Sequence, residues 1–200
     1  TALILAVKPQ SLAAVAPDLA GWIGPETRVV SIMAGVSINH LSELFATARV
    51  IRAMPNTPGA LGLGITAFSA SEACESGDLA LARMLLAPLG VMEGPIAERH
   101  MDAVTAVSGS GPAYVFALVE AMANAGVSEG LDPDLSLRLA RQTLIGAAAL
   151  LGDADQSPTD LRRAVTSPKG TTEAALDVLM GDAGLGQLMR RAITAAARRS

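Results

Sequence analysis

Short apolar runs alternate with amphipathic stretches through the first half of this 200-residue chain, and this alternation constrains the fold more than any other feature. The runs have strand length, and several of the stretches between them have helical spacing, namely 9–23, 37–45 and 76–89. The runs are ALILAV (2–7), RVVSIM (28–33), ARVIRAM (48–54), ITAFSA (65–70) and VMEGPIA (91–97). Strands separated by helices favour a parallel sheet with right-handed crossovers. We therefore predict a doubly wound parallel α/β sheet.

After about residue 99 the strand pattern stops and helical periodicity takes over. Helices are predicted over 111–126, 132–152, 157–165, 170–180 and 185–198. Several segments, such as LIGAAALL, are apolar nearly all round, and a helix without a polar face must be buried on every side. Because a helical half of this size offers too little cover within one chain, we predict two domains, 1–99 and 100–200, with the helical domain pairing in an intertwined homodimer.

Composition excludes several classes of function. The net charge is -4, and the terminal cluster of Arg190, Arg191, Arg198 and Arg199 falls short of the footprint of a nucleic-acid-binding protein. The single cysteine, Cys74, is far in sequence from both histidines, so neither a disulfide scaffold nor a metal site is supported. No apolar run reaches the roughly 18 residues of a membrane span. We expect a cytoplasmic protein that binds no nucleic acid, membrane or metal.

Three predicted strands end in unusual turns: AVKP (6–9), MAGV (33–36) and MPNTPG (54–59). Ligands of doubly wound sheets bind at the carboxyl ends of the strands. Lys8 can reach an anionic group there, and turns rich in glycine and proline let a flat ring or a sugar lie close to the backbone. The sequence therefore predicts a ligand site at this edge.

A second candidate site is the stretch SPKGTT (167–172), which comes directly before an apolar helical pattern. Thr171 or Thr172 is the expected N-cap, and the unpaired first-turn N–H groups lie at the positive end of the helix dipole. Such a helix start can bind a carboxylate or a phosphate, and Lys169 would strengthen the attraction. The same residues also fit an ordinary capped helix after a proline turn.

The stretch SGSGPAY (108–114) fits a helix start with close packing, since Pro112 suits a first helical turn. It lacks the preceding strand and the GK[ST] residues of a phosphate loop. His40 and His100 are isolated from any nucleophile pattern, so hydrolase chemistry is unsupported and we expect both at the surface or in packing.

Taken together, several segments occur in the order, and at about the spacing, of the delta-1-pyrroline-5-carboxylate reductases. They are AVKPQ, SIMAGVSI, MPNTPG, AVTAVSGSGPAY and LRRAVTSPKGTT, and the chain resembles this family over essentially all of its length. The resemblance implies an N-terminal Rossmann-like dinucleotide-binding domain, here partial, followed by a helical dimerisation and substrate domain. It also implies an oxidoreductase that converts 1-pyrroline-5-carboxylate to L-proline with hydride from NADPH or NADH, the last step of proline biosynthesis.

The resemblance also assigns roles to individual residues. It implies that the cofactor is bound by Ala6, Val7, Lys8, Pro9, Ala34, Gly35, Asn56 and Pro58. It implies that the substrate carboxylate is received by Ser167, Lys169, Gly170, Thr171 and Thr172. Thr172 would also be catalytic, either by relaying a proton from water to the imine nitrogen or by orienting an imine that is already protonated, because a threonine hydroxyl is too weak an acid to donate alone.

Three features depart from the family pattern. The GxGxxG turn that cradles the cofactor pyrophosphate is missing from this sequence, and GALGLG (59–64) imitates it only loosely. We therefore expect the front of the nucleotide domain to be absent and cofactor binding by this chain to be weak. Lys169 stands where the family pattern has glycine, and Asp155 stands where glutamate is common.

Other interpretations stay open at this point. Lys169, as a possible acid, is the support for a related reductase of another imine or a hydroxyacid. A non-catalytic dimerisation module would retain the helical half after loss of the nucleotide motif. Either cofactor, and either a homodimer or a larger assembly of dimers, fits the sequence.

Overall fold

The computed structural model describes residues 1–153 and 155–200. Contacts divide the chain into two compact units: Thr1–Pro112 with Ile193–Ser200, and Ala113–Ala192. The sequence-based boundary between residues 99 and 100 stays a prediction. The residues just after it belong to the first unit, where Met101 and Ala106 are buried. The predicted boundary follows the change in composition at the end of the strands, whereas the compact units are defined by contacts between residues.

The first unit is built on a five-stranded sheet with the strand order β1-β2-β3-β4-β5. The strands are β1 (Ala2–Leu5), β2 (Arg28–Ser31), β3 (Val50–Met54), β4 (Gly64–Ala70) and β5 (Gly90–Glu93). Each overlaps one of the predicted runs.

The sheet is mostly parallel, as predicted, but one pair departs from the prediction. β1, β2 and β3 are parallel to one another and β4 is parallel to β5, whereas β3 and β4 are antiparallel. Residues 55–63 connect β3 to β4 through a 3₁₀ turn, Thr57–Leu61. A parallel crossover needs about a dozen residues or more, so this connection allows only a reversal of direction.

Helices cover both faces of the sheet, as the doubly wound prediction requires. They are α1 (Leu12–Ala20), α2 (Ile38–Phe45) and α3 (Ser76–Leu86). Val29 and Val50 face a buried cluster that contains Leu41 of α2, and their neighbours Val30 and Ile51 belong to a second cluster with α3. Because side chains alternate along a strand, adjacent residues supply the two cores.

A buried carboxylate ties α3 to the sheet. Asp78 is 1% exposed and pairs with Arg28 at 2.5 Å and with Arg49 at 3.0 Å. One of its oxygens also accepts a hydrogen bond from the Glu75 N–H at 2.9 Å. Burial alone would raise the pKa of Asp78, but the Glu75 N–H and the two guanidinium groups outweigh it and hold the pKa below its ordinary value.

After β5 the chain passes through a short helix, α4 (Met101–Val104), which continues into a π-helical turn at Thr105–Gly109. Within the described residues, five helices follow: α5 (Gly111–Ser128), α6 (Pro133–Asp153), α7 (Pro158–Ala164), α8 (Thr171–Leu179) and α9 (Leu185–Arg199). All five coincide with the predicted helices. α5 and α9 each contribute to both compact units.

The second unit has a small core and a largely apolar surface. Among its described residues, Ala123, Ser136 and Ala140 are the buried ones. α5 and α6 pack closely, since a Cβ on Gly126 would lie 2.2 Å from the Ser136 hydroxyl oxygen. Large apolar side chains that remain exposed include Phe116, Leu139, Ile145, Leu150 and Val178. Helices with this much exposed apolar surface favour association with another protein surface.

Candidate functional site

The turns predicted to bind a ligand follow strands that point in the same direction. Since β1, β2 and β3 are parallel, their carboxyl ends lie at one edge of the sheet. Lys8 comes after β1, Gly35 after β2 and Asn56 after β3. The structure therefore places the three predicted turns along one edge.

A cavity of about 340 Å³ opens at this edge between the beginnings of α1 and α2. Pro9 and Gly35 both line it, so the structure brings together two of the predicted cofactor residues. A second cavity, of about 480 Å³, is lined by Ala34 and again by Gly35. Its other residues come from the π-helical turn and Ser110 after it, and from the last turn of α9 with Ser200.

The remaining predicted cofactor residues do not line these two cavities. Ala6 and Lys8 are exposed, and Val7 packs against the core formed with α1 and α2. Asn56 and Pro58 lie in the β3–β4 connection, where the Asn56 side-chain oxygen accepts a hydrogen bond from the Ile65 N–H at 3.0 Å. Asn56 thus stabilises its own turn.

Glycine is favoured at position 35 for two reasons. Its φ of +70° lies in the left-handed region, and a Cβ there would lie 3.2 Å from the carbonyl oxygen of Ser200. The turn after β2 therefore has no side chain at the point where both cavities meet the backbone.

The two polar side chains beside the Gly35 turn in the first cavity, Ser37 and His40, were not among the predicted site residues. Ser37 caps α2, with its hydroxyl oxygen accepting a hydrogen bond from the His40 N–H at 3.1 Å, and both residues line the cavity. His40 is exposed, as expected, but it lies beside the predicted ligand edge rather than on an unrelated surface. A serine directly before a helical pattern is the signal that could have identified this cap.

A buried arginine also escaped the sequence analysis. Arg52 of β3 is 6% exposed, and its guanidinium pairs with Glu98 at 3.2 Å and with Asp102 of α4 at 3.4 Å. Glu98 also accepts a hydrogen bond from the Ile38 N–H at 2.8 Å. This network fixes the start of α2, and with it the Gly35 turn, to β3 and α4. An arginine within an apolar strand is the sequence signal, since a buried charge needs partners.

The predicted substrate loop lies in the second compact unit and is described by itself. The Gly170 N–H donates to the Ser167 carbonyl at 3.1 Å, which closes a turn with Pro168 second and Lys169 third. Lys169 has a φ of +59°, in the left-handed region. A turn with proline second and a positive φ third is type II and favours glycine at that third position. A glycine, which the family resemblance implies at this position, would take this conformation without strain.

The predicted threonine N-cap of α8 is wrong. Gly170 is the N-cap, and the helix begins at Thr171. A Cβ at position 170 would lie 2.5 Å from the Ser167 hydroxyl oxygen, so a larger residue there would require the Ser167 side chain to turn away. The two threonines are instead the first two helical residues, so their hydroxyl groups are not used in capping.

This helix start presents several unused donors. Within the described residues, the N–H groups of Thr171 and Thr172 make no hydrogen bond, and the same holds for the Thr172 hydroxyl, which is half-buried. One acidic group lies close by: a Glu173 oxygen accepts from the Lys169 N–H at 2.7 Å. The loop thus combines free donors at a helix N-terminus with an exposed lysine.

Across residues 1–153 and 155–200, His, Cys, Asp and Glu side chains form no group of three or more that is suited to a metal ion. The helices of this described part are all too short or too polar to cross a membrane.

Comparison with known proteins gives a consistent result. A family model described as pyrroline-5-carboxylate reductase dimerisation matches residues 98–200. The pyrroline-5-carboxylate reductase of a Synechocystis species is 44% identical over 99% of this chain and 73% of its own length. That of Pseudomonas aeruginosa is 41% identical over 99% of this chain and 72% of its own length.

Solved structures agree with the sequence matches. A pyrroline-5-carboxylate reductase from Coxiella burnetii superposes with a TM-score of 0.90 at 35% identity, covering 99% of this chain and 74% of that protein. The Plasmodium falciparum pyrroline carboxylate reductase, solved with NADP bound, gives a TM-score of 0.84 at 29% identity, covering 98% and 78%. The family model covers residues 98–200, and reductases that are 41% and 44% identical align with 99% of the chain. This chain therefore belongs to the pyrroline-5-carboxylate reductase family.

Proposed function

We propose that this chain reduces 1-pyrroline-5-carboxylate to L-proline with hydride from NADPH or NADH, the last step of proline biosynthesis. The observation that carries the proposal is the 44% identity to a pyrroline-5-carboxylate reductase over 99% of the chain. The free donors at the start of α8 and the glycine turn at the sheet edge are the features that such a reaction needs.

On the cofactor side, the residues proposed are Ala6, Val7, Lys8, Pro9, Ala34, Gly35, Asn56 and Pro58. The edge fits a dinucleotide because Gly35 leaves the backbone open beside a cavity of about 340 Å³ and Lys8 is an exposed cation. When bound, NAD(P)H supplies the hydride. The chain's own part is to hold the group at the carboxyl ends of its parallel strands.

On the substrate side, the proposed residues are Ser167, Lys169, Gly170, Thr171 and Thr172. The Thr171 and Thr172 N–H groups are free to donate to a carboxylate, and the α8 dipole and the Lys169 ammonium group favour negative charge there. A ring held by its carboxylate has a fixed orientation, which removes much of the entropic cost of bringing two reactants together.

Thr172 is the proposed catalytic residue. A protonated imine accepts hydride far better than a neutral one, and the amine that forms needs a nearby proton source. The Thr172 hydroxyl is half-buried, is not used in capping and follows directly after the carboxylate donors. Because it is a weak acid, its role is to orient the protonated imine nitrogen or to relay a proton from water.

We further propose a cytoplasmic homodimer, formed by the helical half, residues 100–200, with residues 1–99 holding the cofactor. The exposed apolar side chains of α5 and α6 support pairing, as does the dimerisation family model over 98–200. The reaction requires the two groups of site residues to meet in the assembled protein. Packing of dimers into a larger assembly is also compatible with this proposal.

The test is a steady-state assay of Thr172→Ala. We expect kcat for pyrroline-5-carboxylate to fall about a hundredfold, in the range that proton-transfer groups contribute. Dimer formation should not change, since the removed groups are not part of a described contact. Thr172→Ser should restore most of the rate, and Thr159→Ala, an exposed threonine of α7, serves as the matched control. An unchanged kcat in Thr172→Ala would remove Thr172 from the mechanism.

Two further measurements separate the alternatives. A related hydroxyacid reductase would oxidise 3-hydroxyacids faster than it reduces pyrroline-5-carboxylate, and Lys169 is the residue that would favour it. A non-catalytic module would show no change in NADPH fluorescence on titration, even when a GxGxxG segment is joined before Thr1.

A further inference from the structure

The start of α2 depends on a hydrogen-bond acceptor from a distant part of the chain. The first N–H groups of a helix have no partner within the helix and need acceptors from elsewhere. At α2, the Ser37 hydroxyl oxygen accepts from the His40 N–H at 3.1 Å. The Ile38 N–H donates to the Glu98 carboxylate at 2.8 Å, across a separation of 60 residues in sequence. One of these N–H groups is therefore satisfied locally and another by a tertiary contact.

Glu98 is itself held in place by the buried Arg52. The Glu98 oxygen that accepts from α2, Oε1, lies 3.2 Å from Arg52 Nη1. The other terminal nitrogen, Nη2, lies 3.4 Å from Asp102 Oδ1. Replacing a buried ion pair by apolar side chains is often neutral for stability, so stability alone is a weak reason for this network. Its geometric effect is clear, because one carboxylate joins β3 to the start of α2.

This hydrogen bond supplies a direction that packing does not. Val36 and Ile38, on either side of the capping residue, are buried in the core that α2 forms with the sheet. Apolar contacts are non-directional, whereas an N–H···O bond depends on its angle. The turn directly before them contains Gly35, whose φ is +70°, and glycine has more backbone freedom than any other residue. The bond to Glu98 is thus a directional restraint beside the most adaptable part of the cofactor edge.

We infer that Glu98 is a positioning residue for the cofactor: held by Arg52, it keeps the start of α2, and through it the Gly35 turn, in the conformation that receives NAD(P)H. The inference rests on the proposed function, in which Gly35 binds the cofactor. Glu98 acts through α2 and does not contact the cofactor itself. When fewer molecules hold the competent conformation, the apparent affinity falls by the same fraction. The rate of hydride transfer at saturating cofactor is unaffected.

The test compares Glu98→Ala with the matched control Asp102→Ala. Each variant removes one carboxylate from Arg52, but in the described part of the chain the Asp102 carboxylate makes no hydrogen bond or ion pair with α2. NADPH is titrated against each protein and followed by its fluorescence. We expect the Kd for NADPH to rise about fivefold in Glu98→Ala and less than about twofold in Asp102→Ala. A fivefold change is about 1 kcal/mol, less than one hydrogen bond to a charged group contributes.

Two conservative variants separate the hydrogen bond from the charge. Glu98→Gln keeps an oxygen at the same reach that can accept from the Ile38 N–H, so its Kd should stay within about twofold of the wild-type value. Glu98→Asp keeps the charge but is shorter by one methylene group, so its Kd should rise about threefold or more. In steady-state assays, KM for NADPH should follow these Kd values while kcat changes less than about twofold. Urea unfolding of every variant reports stability separately.

A readout without cofactor is the Gly35 amide signal in ¹H–¹⁵N spectra of the ¹⁵N-labelled chain. It should shift in Glu98→Ala and Glu98→Asp and keep its wild-type position in Asp102→Ala. The inference is overturned if Asp102→Ala raises the Kd as much as Glu98→Ala does, or if Glu98→Ala leaves both the Kd and the Gly35 amide unchanged. A wild-type chain that binds no NADPH would contradict the proposed function, and the amide signals would then decide by themselves whether Glu98 holds the turn.

Discussion

Lys169 provides a direct test of how the substrate loop is built. It holds a φ of +59° at the third position of the turn that the Gly170 N–H closes on Ser167. The left-handed conformation costs a residue with a Cβ about 1–2 kcal/mol relative to its preferred region. The loop therefore stores strain that a glycine would release.

Two substitutions separate this strain from the lysine's charge. Lys169→Ala and Lys169→Gly both remove the ammonium group of an exposed side chain. They differ in the Cβ, which restricts the backbone of alanine but is absent from glycine. Relative to alanine, glycine avoids about 1–2 kcal/mol of strain in the folded chain. Its greater freedom in the unfolded chain lowers the free energy of unfolding by about 0.5–1 kcal/mol. We expect Lys169→Gly to be more stable than Lys169→Ala by about 1 kcal/mol.

The assay is equilibrium urea unfolding of both variants at one protein concentration, because association shifts the apparent stability by mass action. In parallel, KM for pyrroline-5-carboxylate should rise to the same extent in both variants, since both lose the cation. If Lys169→Gly is no more stable than Lys169→Ala, the strain argument fails. A KM that differs between the two would show that backbone geometry, rather than charge, governs substrate binding at this position.

Three further predictions concern the two units. The pKa of Asp78 lies below its ordinary value of 3.8, so the stability it contributes is present above that pH and is lost as pH falls through the lower folded-state pKa. Asp78→Asn should cost about 3 kcal/mol at pH 7 and less at pH 3, measured by chemical unfolding. Burial raises the pKa of Cys74, so its thiol should react with iodoacetamide more slowly in the folded chain than in urea, followed by mass spectrometry. Leu139 is 50% exposed on α6, and Leu139→Lys should shift light-scattering mass from dimer towards monomer; an unchanged mass would place the interface elsewhere.

The individual strands and helices could be predicted from the sequence because their signals are local. Apolar residues that repeat with the period of a strand or a helix report which face is buried, whatever that face packs against. All five strands and the helices from α5 to α9 were identified in this way. The motifs SGSGPAY and TSPKGTT gave the family, and the positions of glycine and proline indicated the turns at the sheet edge.

Contacts between distant residues could not be predicted in the same way. No local pattern reveals that Arg52 meets Glu98 and Asp102, or that the last turn of α9 lies beside Gly35. The reversal between β3 and β4 depends on a short connection, which the strand pattern alone did not resolve. The N-cap of α8 is Gly170, which lies against Ser167, rather than either of the predicted threonines.

The sequence by itself therefore determined the type and order of the elements, the family and the two loops proposed to hold cofactor and substrate. Only the tertiary structure decided which donors remain without partners, where Lys169 is strained and how Glu98 comes to hold the start of α2. The physical reason is that periodicity and turn preferences act between neighbours in the chain. Hydrogen-bond satisfaction, close approach and ion pairing depend on residues brought together by the whole fold.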